Sequence, residues 1–397
     1  GWAPDILLLH AYPKHLWPEG ALDPRSHYGT DDMGNGARML ALFKNRFRCV
    51  PIQDGQPRWY IWRDGRWNYD TKAEREVAVH VTVAMMGEEL RIQEAMCADG
   101  KHNCVYKNEK DDGACLVLSG MRTWYARSKG NDRQAAMLRQ FSMHHEVKAQ
   151  LSDFDAEPRW LNFSNGVLDV SGAEGLDAGV READPSYMCS RVMGCAYELE
   201  EGEGEWLRYL EHAQPDPAIR EFLQVAVGMC LSGMPLEKAF FLLHGKGDTG
   251  KSVFMEVVGA LFGTYGVMAS PLVLGGKQGG SAHQSAQHAL MGARFVRTPE
   301  TKRDEELNAK FIKQYSGREE VTTRAAFGKM EVTWRPAGYI FNGSNHALRF
   351  DSSDSGVQNR LRVVVFGVSV PKAEQDDRLP GRIRENEVGA VLAWALE

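Results

Sequence analysis

The chain has 397 residues, 43% of them hydrophobic and 25% charged, with a formal net charge of −6. That length exceeds what one compact core fills, so two or three domains are expected, and no apolar run approaches the ~20 residues that cross a bilayer. The charge argues against a surface that coats nucleic acid everywhere and leaves room for a locally basic loop or pore.

Gly1-Trp2-Ala3-Pro4 lacks the basic and then apolar stretch of a secretory signal. With no initial Met and an abrupt end at Glu397, the chain reads as a piece of a longer protein. Seven cysteines in irregular spacing indicate free thiols in a reducing compartment, hence the cytoplasm. Cys97, His102, Cys104 and Cys115 contain no paired C-x-x-C knuckle, so residues packed around a loop are expected there rather than zinc.

Residues 1–29, rich in Pro, His and Trp without a period, read as an arm or linker. Thr30 and Asp31 cap a helix over 30–45 that carries Met39, Leu40, Leu42 and Phe43. "RCVPIQDGQPRWYIWRDGRWNYD" is an antiparallel meander with turns at Asp54-Gly55 and Asp64-Gly65. Helices follow over Thr71–Arg91 and Gly120–His145, with a polar loop at 99–113 between them. "RWLNFSNGVLDV" is a hairpin turning at Asn165-Gly166, 171–185 is loop, and "EEGEGE" at 200–205 marks a domain boundary. An α+β domain over 30–204 is therefore expected, followed by a second domain over 205–397.

The second domain opens with amphipathic helices at Trp206–His212 and Ala218–Leu231. Phe240–Leu243 is apolar throughout, as the middle strand of a parallel sheet must be. Further strands are expected at Arg294–Arg297, Glu331–Trp334, Gly338–Phe341 and Leu361–Phe366, and their alternation with helices predicts an α/β nucleotide-binding fold. Gly245-Lys246-Gly247-Asp248-Thr249-Gly250-Lys251-Ser252 matches G-x-x-x-x-G-K-[ST] in full, between that strand and a helix over Val253–Phe262. Its glycines let backbone N–H groups curl toward phosphate oxygens at a positive helix end. Lys251 is placed to reach the β- and γ-phosphates of ATP, and Ser252 to hold Mg²⁺. No Asn-Lys-x-Asp follows to read guanine, and 244 residues precede the loop, which disfavours a GTPase or a small-molecule kinase.

Three further stretches supply the parts a motor needs: "ARFVRTPE" ends near Glu300, "GYIFNGSN" ends at Asn345, and "QNRLRVVVF" sets Arg360 before a strand. In this order the chain resembles a superfamily 3 helicase of the AAA+ class, in detail the primase-helicases of phages, plasmids and poxviruses. The resemblance rests on "TDDMGNGARML", "WYIWRDGRWNYD", "NFSNGVLDV" and "FIKQYSGREEVTTRAAFGKMEVTWRPAGYIFNGSNHALRF", and covers roughly residues 30–397. It implies an AAA+ P-loop NTPase domain with a central parallel sheet, preceded by a mixed α+β collar that serves oligomerisation. Lys251 and Ser252 then match the phosphate and metal residues, Glu300 the Walker B acid, Asn345 the sensor, and Arg360 the arginine finger of a neighbouring subunit. Residues 320–334 match the hairpin of a hexameric ring's central channel, with Lys329 at its tip to grip DNA phosphate and Phe327 either to stack on a base or to pack.

Many superfamily 3 motors carry two adjacent acids at Walker B; here Thr298-Pro299 precede Glu300 and Thr301 follows it, so one acid stands alone as metal ligand, catalytic base or both. Asp31-Asp32 and Asp111-Asp112 are acid pairs in cap or loop context, not a two-metal priming site, so any primase domain would lie outside this chain. Two functions remain open: a ring-forming, ATP-driven DNA helicase of a phage or mobile element, with replisome partners, or a nucleotide-dependent assembly switch or protein remodeller on the same scaffold.

Overall fold

The structure, a computed structural model, describes residues 28–52, 55–98, 116–172, 176, 178–199, 204–234, 236–275, 281–300, 307–324, 331–350 and 354–397. The expectations for 1–27, the 99–113 loop, Asp111-Asp112, three of the four Cys/His residues (His102, Cys104, Cys115), Phe327 and Lys329 lie outside these residues. Two compact units emerge: the described residues up to Arg63 with Asn68–Gln150, and Asp64–Trp67 with Leu151–Glu397.

In the first unit, α1 (Asp32–Phe43) begins where the Asp31 carboxylate accepts the Gly34 N–H at 2.7 Å. Strands β1 (Phe47–Val50) and β2 (Arg58–Arg63) pair antiparallel with Phe47 opposite Ile61, and β3 (Arg66–Tyr69) completes the expected meander. Asp64 and Gly65, with φ of 54° and 69°, supply the two left-handed residues of a tight turn. Helix α2 (Ala73–Ala98) runs past the expected end at Arg91. The helical stretch expected over 120–145 holds two helices, α3 (Leu116–Ser128) and α4 (Asn131–Met143). Gly130, extended at φ −79° and ψ 144°, ends the first and heads the second. Met39, Phe43, Phe47, Trp59 and Phe141 form the core, with Trp59 stacked on Phe141 at 5.8 Å.

The second unit starts with the hairpin β4 (Trp160–Phe163) and β5 (Gly166–Asp169). Phe163 faces Gly166, so Ser164 and Asn165 form the turn, one residue earlier than expected. Gly166 has φ 149°, and a Cβ there would lie 2.3 Å from the Arg181 carbonyl, so only glycine fits. Then come α5 (Glu205–Ala213), α6 (Pro217–Leu231), β6 (Phe240–His244), α7 (Lys251–Leu261), β7 (Gly266–Met268), α8 (Ser281–His288), β8 (Phe295–Thr298) and α9 (Ala309–Ser316). The chain continues through β9 (Val321–Arg324), β10 (Glu331–Trp334), β11 (Tyr339–Ser344), α10 (Ser355–Gln358), β12 (Leu361–Val365), α11 (Leu379–Asn386) and α12 (Val388–Leu396). β9 and β10 pair antiparallel, with Val321 opposite Trp334, as the hairpin over 320–334 requires.

The central sheet has the order β12-β6-β11-β8-β7, with every pair parallel. Both faces are covered, which explains apolar runs without alternation. Phe241, Leu243, Phe295, Tyr339 and Phe341 enter one core cluster, and Phe240, Val296 and Ile340 the other. Phe341 stacks on Phe241 at 4.5 Å and lies 4.7 Å from Phe295. The expected α/β fold with a central parallel sheet is thus observed. β7, three residues long, is the strand without a legible sequence signal.

The expected division at 204/205 falls inside the second unit. Leu161, Phe163, Leu168 and Met193 share one buried cluster with Trp206, Phe254 and Leu261. Composition marks a charged loop at 200–205, but burial decides where a domain ends. A fragment starting at residue 205 should therefore unfold at lower temperature than one starting at 151, because it exposes the surface those four residues cover. Equal circular-dichroism melting temperatures would contradict the shared core.

Candidate nucleotide site

The sharp exit from β6 builds the P-loop. Asp248 and Gly250 adopt φ of 59° and 87°, which closes the loop onto the start of α7. At Gly245 a Cβ would meet the Phe366 carbonyl at 2.2 Å, so the loop's first residue has no room for a side chain. The Val370 N–H donates to the Asp248 carbonyl at 2.8 Å and ties the loop to the segment after β12. From the other side, the buried Tyr209 of α5 donates its hydroxyl to the Gly250 carbonyl at 2.8 Å.

Lys251 is 8% exposed. Its Nζ donates to the carbonyls of Gly245 (2.8 Å) and Lys246 (2.6 Å) and to Thr249 Oγ1 (3.1 Å). Burial pulls this ammonium below the ordinary lysine pKa, while Glu300 and Asp248 act the opposite way. A cation held by neutral oxygens at the centre of a glycine loop can exchange them for anionic ones. Ser252, in the first turn of α7, is exposed.

The loop opens on a cavity of about 1160 Å³, lined by Gly247–Ser252, by Thr298, Pro299 and Glu300, and by Gly343 and Asn345. The far wall comes from Arg208 and His212 of α5, residues 374–377 and Arg384 of α11. Convergence of the first three groups follows from topology: β6, β8 and β11 are parallel neighbours, so their C-terminal ends share one edge. The Asn345 N–H donates to Glu300 Oε1 at 2.9 Å, so the expected acid and sensor positions meet directly.

Arg360 does not line this cavity. Its carbonyl accepts the Phe240 N–H at 2.8 Å, which sets it at the opening of β6, whereas the P-loop begins after His244. At ~3.3 Å per strand residue the two are about 16 Å apart along the sheet. The Arg360 guanidinium donates to the Gly356 carbonyl at 2.6 Å, and its Nε is buried without a hydrogen-bond partner among the described residues. The hairpin's strands are fastened by Val321 and Trp334 in the core and by the Trp334 indole N–H donating to Thr323 Oγ1 at 2.9 Å.

Three residues escaped the motif reading. Tyr209 holds the loop from a helix whose amphipathic pattern gave no hint of it. Arg384 lines the cavity and pairs with Glu256 of α7 at 2.8 Å. Asn342, fully buried on β11, donates to Thr298 Oγ1 at 2.7 Å and to the Pro299 carbonyl at 3.3 Å. A lone amide in the run "YIFNGS" was the legible signal for the last.

The parallel sheet and the glycine-rich loop at the end of β6 give the arrangement of a P-loop nucleotide-binding fold. Residues 36–228 match the family described as D5 N terminal like. The chain is also similar to the protein named "Putative helicase L207/L206" of Acanthamoeba polyphaga mimivirus, with 25% identity over 338 residues, 83% of this chain and 33% of that protein. It thus spans about a third of that relative's length. Among solved structures, the A form apo structure of the NrS-1 C terminal region has a TM-score of 0.47 and 12% identity over 88% of this chain and 66% of that one. The apo structure of the NrS-1 C terminal region (305-718) has a TM-score of 0.49 and 10% identity over 93% of this chain and 70% of that one. The family match over residues 36–228 and the likeness to that viral protein agree with the resemblance drawn from the motifs. No described helix is long and apolar enough to cross a membrane.

Tyr209→Phe removes one hydrogen bond from the P-loop and leaves the ring in place. It should weaken binding of a fluorescent ATP analogue by roughly 5-fold, the equivalent of about 1 kcal/mol. Unchanged affinity in a titration would show that the loop keeps its shape without the hydroxyl.

Proposed function

We propose that this chain is the motor of a ring-forming, ATP-dependent DNA helicase that replicates a phage or mobile-element genome in the host cytoplasm. One observation carries the reading. Lys251, Ser252, Glu300 and Asn345 gather around one cavity, while Arg360 stands at the opposite end of the same sheet.

The residues fit a Mg²⁺-bound nucleoside triphosphate. The loop offers backbone N–H groups and a buried ammonium, and Ser252 and Glu300 offer oxygen ligands beside it. The bound metal would neutralise charge on the phosphate oxygens. Lys251 exchanges its loop carbonyls for those oxygens. Glu300 orients the attacking water or holds the metal through water, and its contact with the Asn345 backbone keeps acid and sensor in register. Arg360 serves the neighbour's γ-phosphate, so a hexameric ring completes six sites that single subunits leave unfinished. Lys329, in the segment between β9 and β10, grips the backbone of a DNA strand in the channel, and Phe327 stacks on a base or packs. Primase or other replisome proteins are the expected partners.

Arg360→Ala should lower ATP turnover by roughly 1000-fold or more while leaving nucleotide binding nearly intact; wild-type turnover would remove the finger in trans. The purified protein should separate a forked duplex in the presence of ATP, and Lys329→Ala should impair that separation more than basal hydrolysis. A ring that hydrolyses ATP without separating strands would instead identify a remodeller or assembly switch.

A further inference from the structure

Glu300 leaves β8 through the corner Thr298-Pro299 without a second acid beside it. A lone carboxylate has no acidic neighbour to turn it, so its direction depends on the groups that hold its backbone and its oxygens. The corner is held from below. Thr298 is 4% exposed and stands opposite Asn342 in the parallel register of β8 and β11. The Asn342 amide is fully buried and places one N–H on Thr298 Oγ1 and one on the Pro299 carbonyl. The Thr298 hydroxyl in turn lies 3.5 Å from the Phe341 carbonyl.

This amide is costly to keep. It sits between Leu242 and Thr298 in the sheet, and its Oδ1 is buried without a hydrogen-bond partner among the described residues. Leucine, of nearly the same shape, would fill the space without leaving an acceptor unpaired. What leucine cannot do is donate to the two atoms that precede Glu300.

We propose that Asn342 is a positioning residue of the hydrolytic site, whose buried amide clamps Thr298 and the Pro299 carbonyl and thereby aims the Glu300 carboxylate. The inference rests on Glu300 acting in ATP hydrolysis. Glu300 is then held from two sides, by the clamp beneath its own backbone and by the Asn345 N–H at its carboxylate. Both supports come from β11 and the residue directly after it, so one strand sets the acid.

Steady-state ATP turnover of the full chain with single-stranded DNA, at a protein concentration that supports assembly, tests the clamp. Asn342→Leu should lower kcat on the order of 100-fold, the scale of a misplaced reacting group, with ATP-analogue affinity within about 2-fold of wild type. In a Glu300→Gln background the same substitution should cost nothing further, because a group acting through Glu300 has no effect once that carboxylate is gone. Thr298→Val, which removes the bonded oxygen, should follow Asn342→Leu, and Thr298→Ser should recover most of the turnover. Full turnover of Asn342→Leu, or equal losses with and without Glu300, overturns the clamp. If Asn342→Leu does not fold, the Thr298 pair decides: equal turnover of the Val and Ser variants overturns the clamp. A wild type that binds ATP without hydrolysing it overturns the hydrolytic reading together with the clamp, whereas a hydrolysing wild type with an indifferent Asn342 overturns the clamp alone.

Discussion

Everything at the candidate site depends on five strands running the same way. Parallel pairing of β6 with β11 and β12, and of β11 with β8, sends every C-terminal end to one edge of the sheet and every N-terminal end to the other. The P-loop, Glu300 and Asn345 follow the strands and therefore meet. Arg360 precedes its strand and therefore cannot join them within one subunit. The pairing is fixed by packing as well as by backbone hydrogen bonds: Phe241, Phe295 and Phe341 pack ring to ring across the three central strands on one face. Removing such a ring typically costs about 3–5 kcal/mol, so the geometry of the site is as rigid as the core beneath it.

The sequence was most legible where local chemistry and long-range packing agree. The strand into the P-loop is apolar because both faces of the sheet are covered, and the loop is glycine-rich because its backbone needs positive φ at Gly250 and closeness at Gly245. The caps and turns at Asp31 and Asp64-Gly65 were readable for the same reason. Less legible were features decided by distant partners. The hairpin turn near Asn165 shifted by one residue because Gly166, pressed against the Arg181 carbonyl, belongs to the strand. The helical stretch over 120–145 broke at Gly130, whose cost inside a helix outweighed the surrounding periodicity.

The domain boundary shows the same limit from the other side. A run of glutamates and glycines at 200–205 reads as a solvated connection. Yet the hairpin residues before it are buried with the helices that follow it, a fact carried by no pattern within either segment. The site repeats the lesson. Lys251, Ser252, Glu300 and Asn345 announce themselves by motif, whereas Tyr209, Asn342 and Arg384 act on the loop, the corner and the cavity wall through contacts that only folding creates.

The central claim is that each hydrolytic site draws its phosphate cradle from one subunit and its arginine from the next. Complementation of two inactive variants tests it most directly. Lys251→Ala subunits lack the cradle but keep Arg360, and Arg360→Ala subunits keep the cradle. Mixed in equal amounts and allowed to exchange, they should regain ATP turnover, because about a quarter of the interfaces in a head-to-tail ring then pair an intact cradle with an intact finger. Mixed rings that form and stay as inactive as either variant alone would contradict the account.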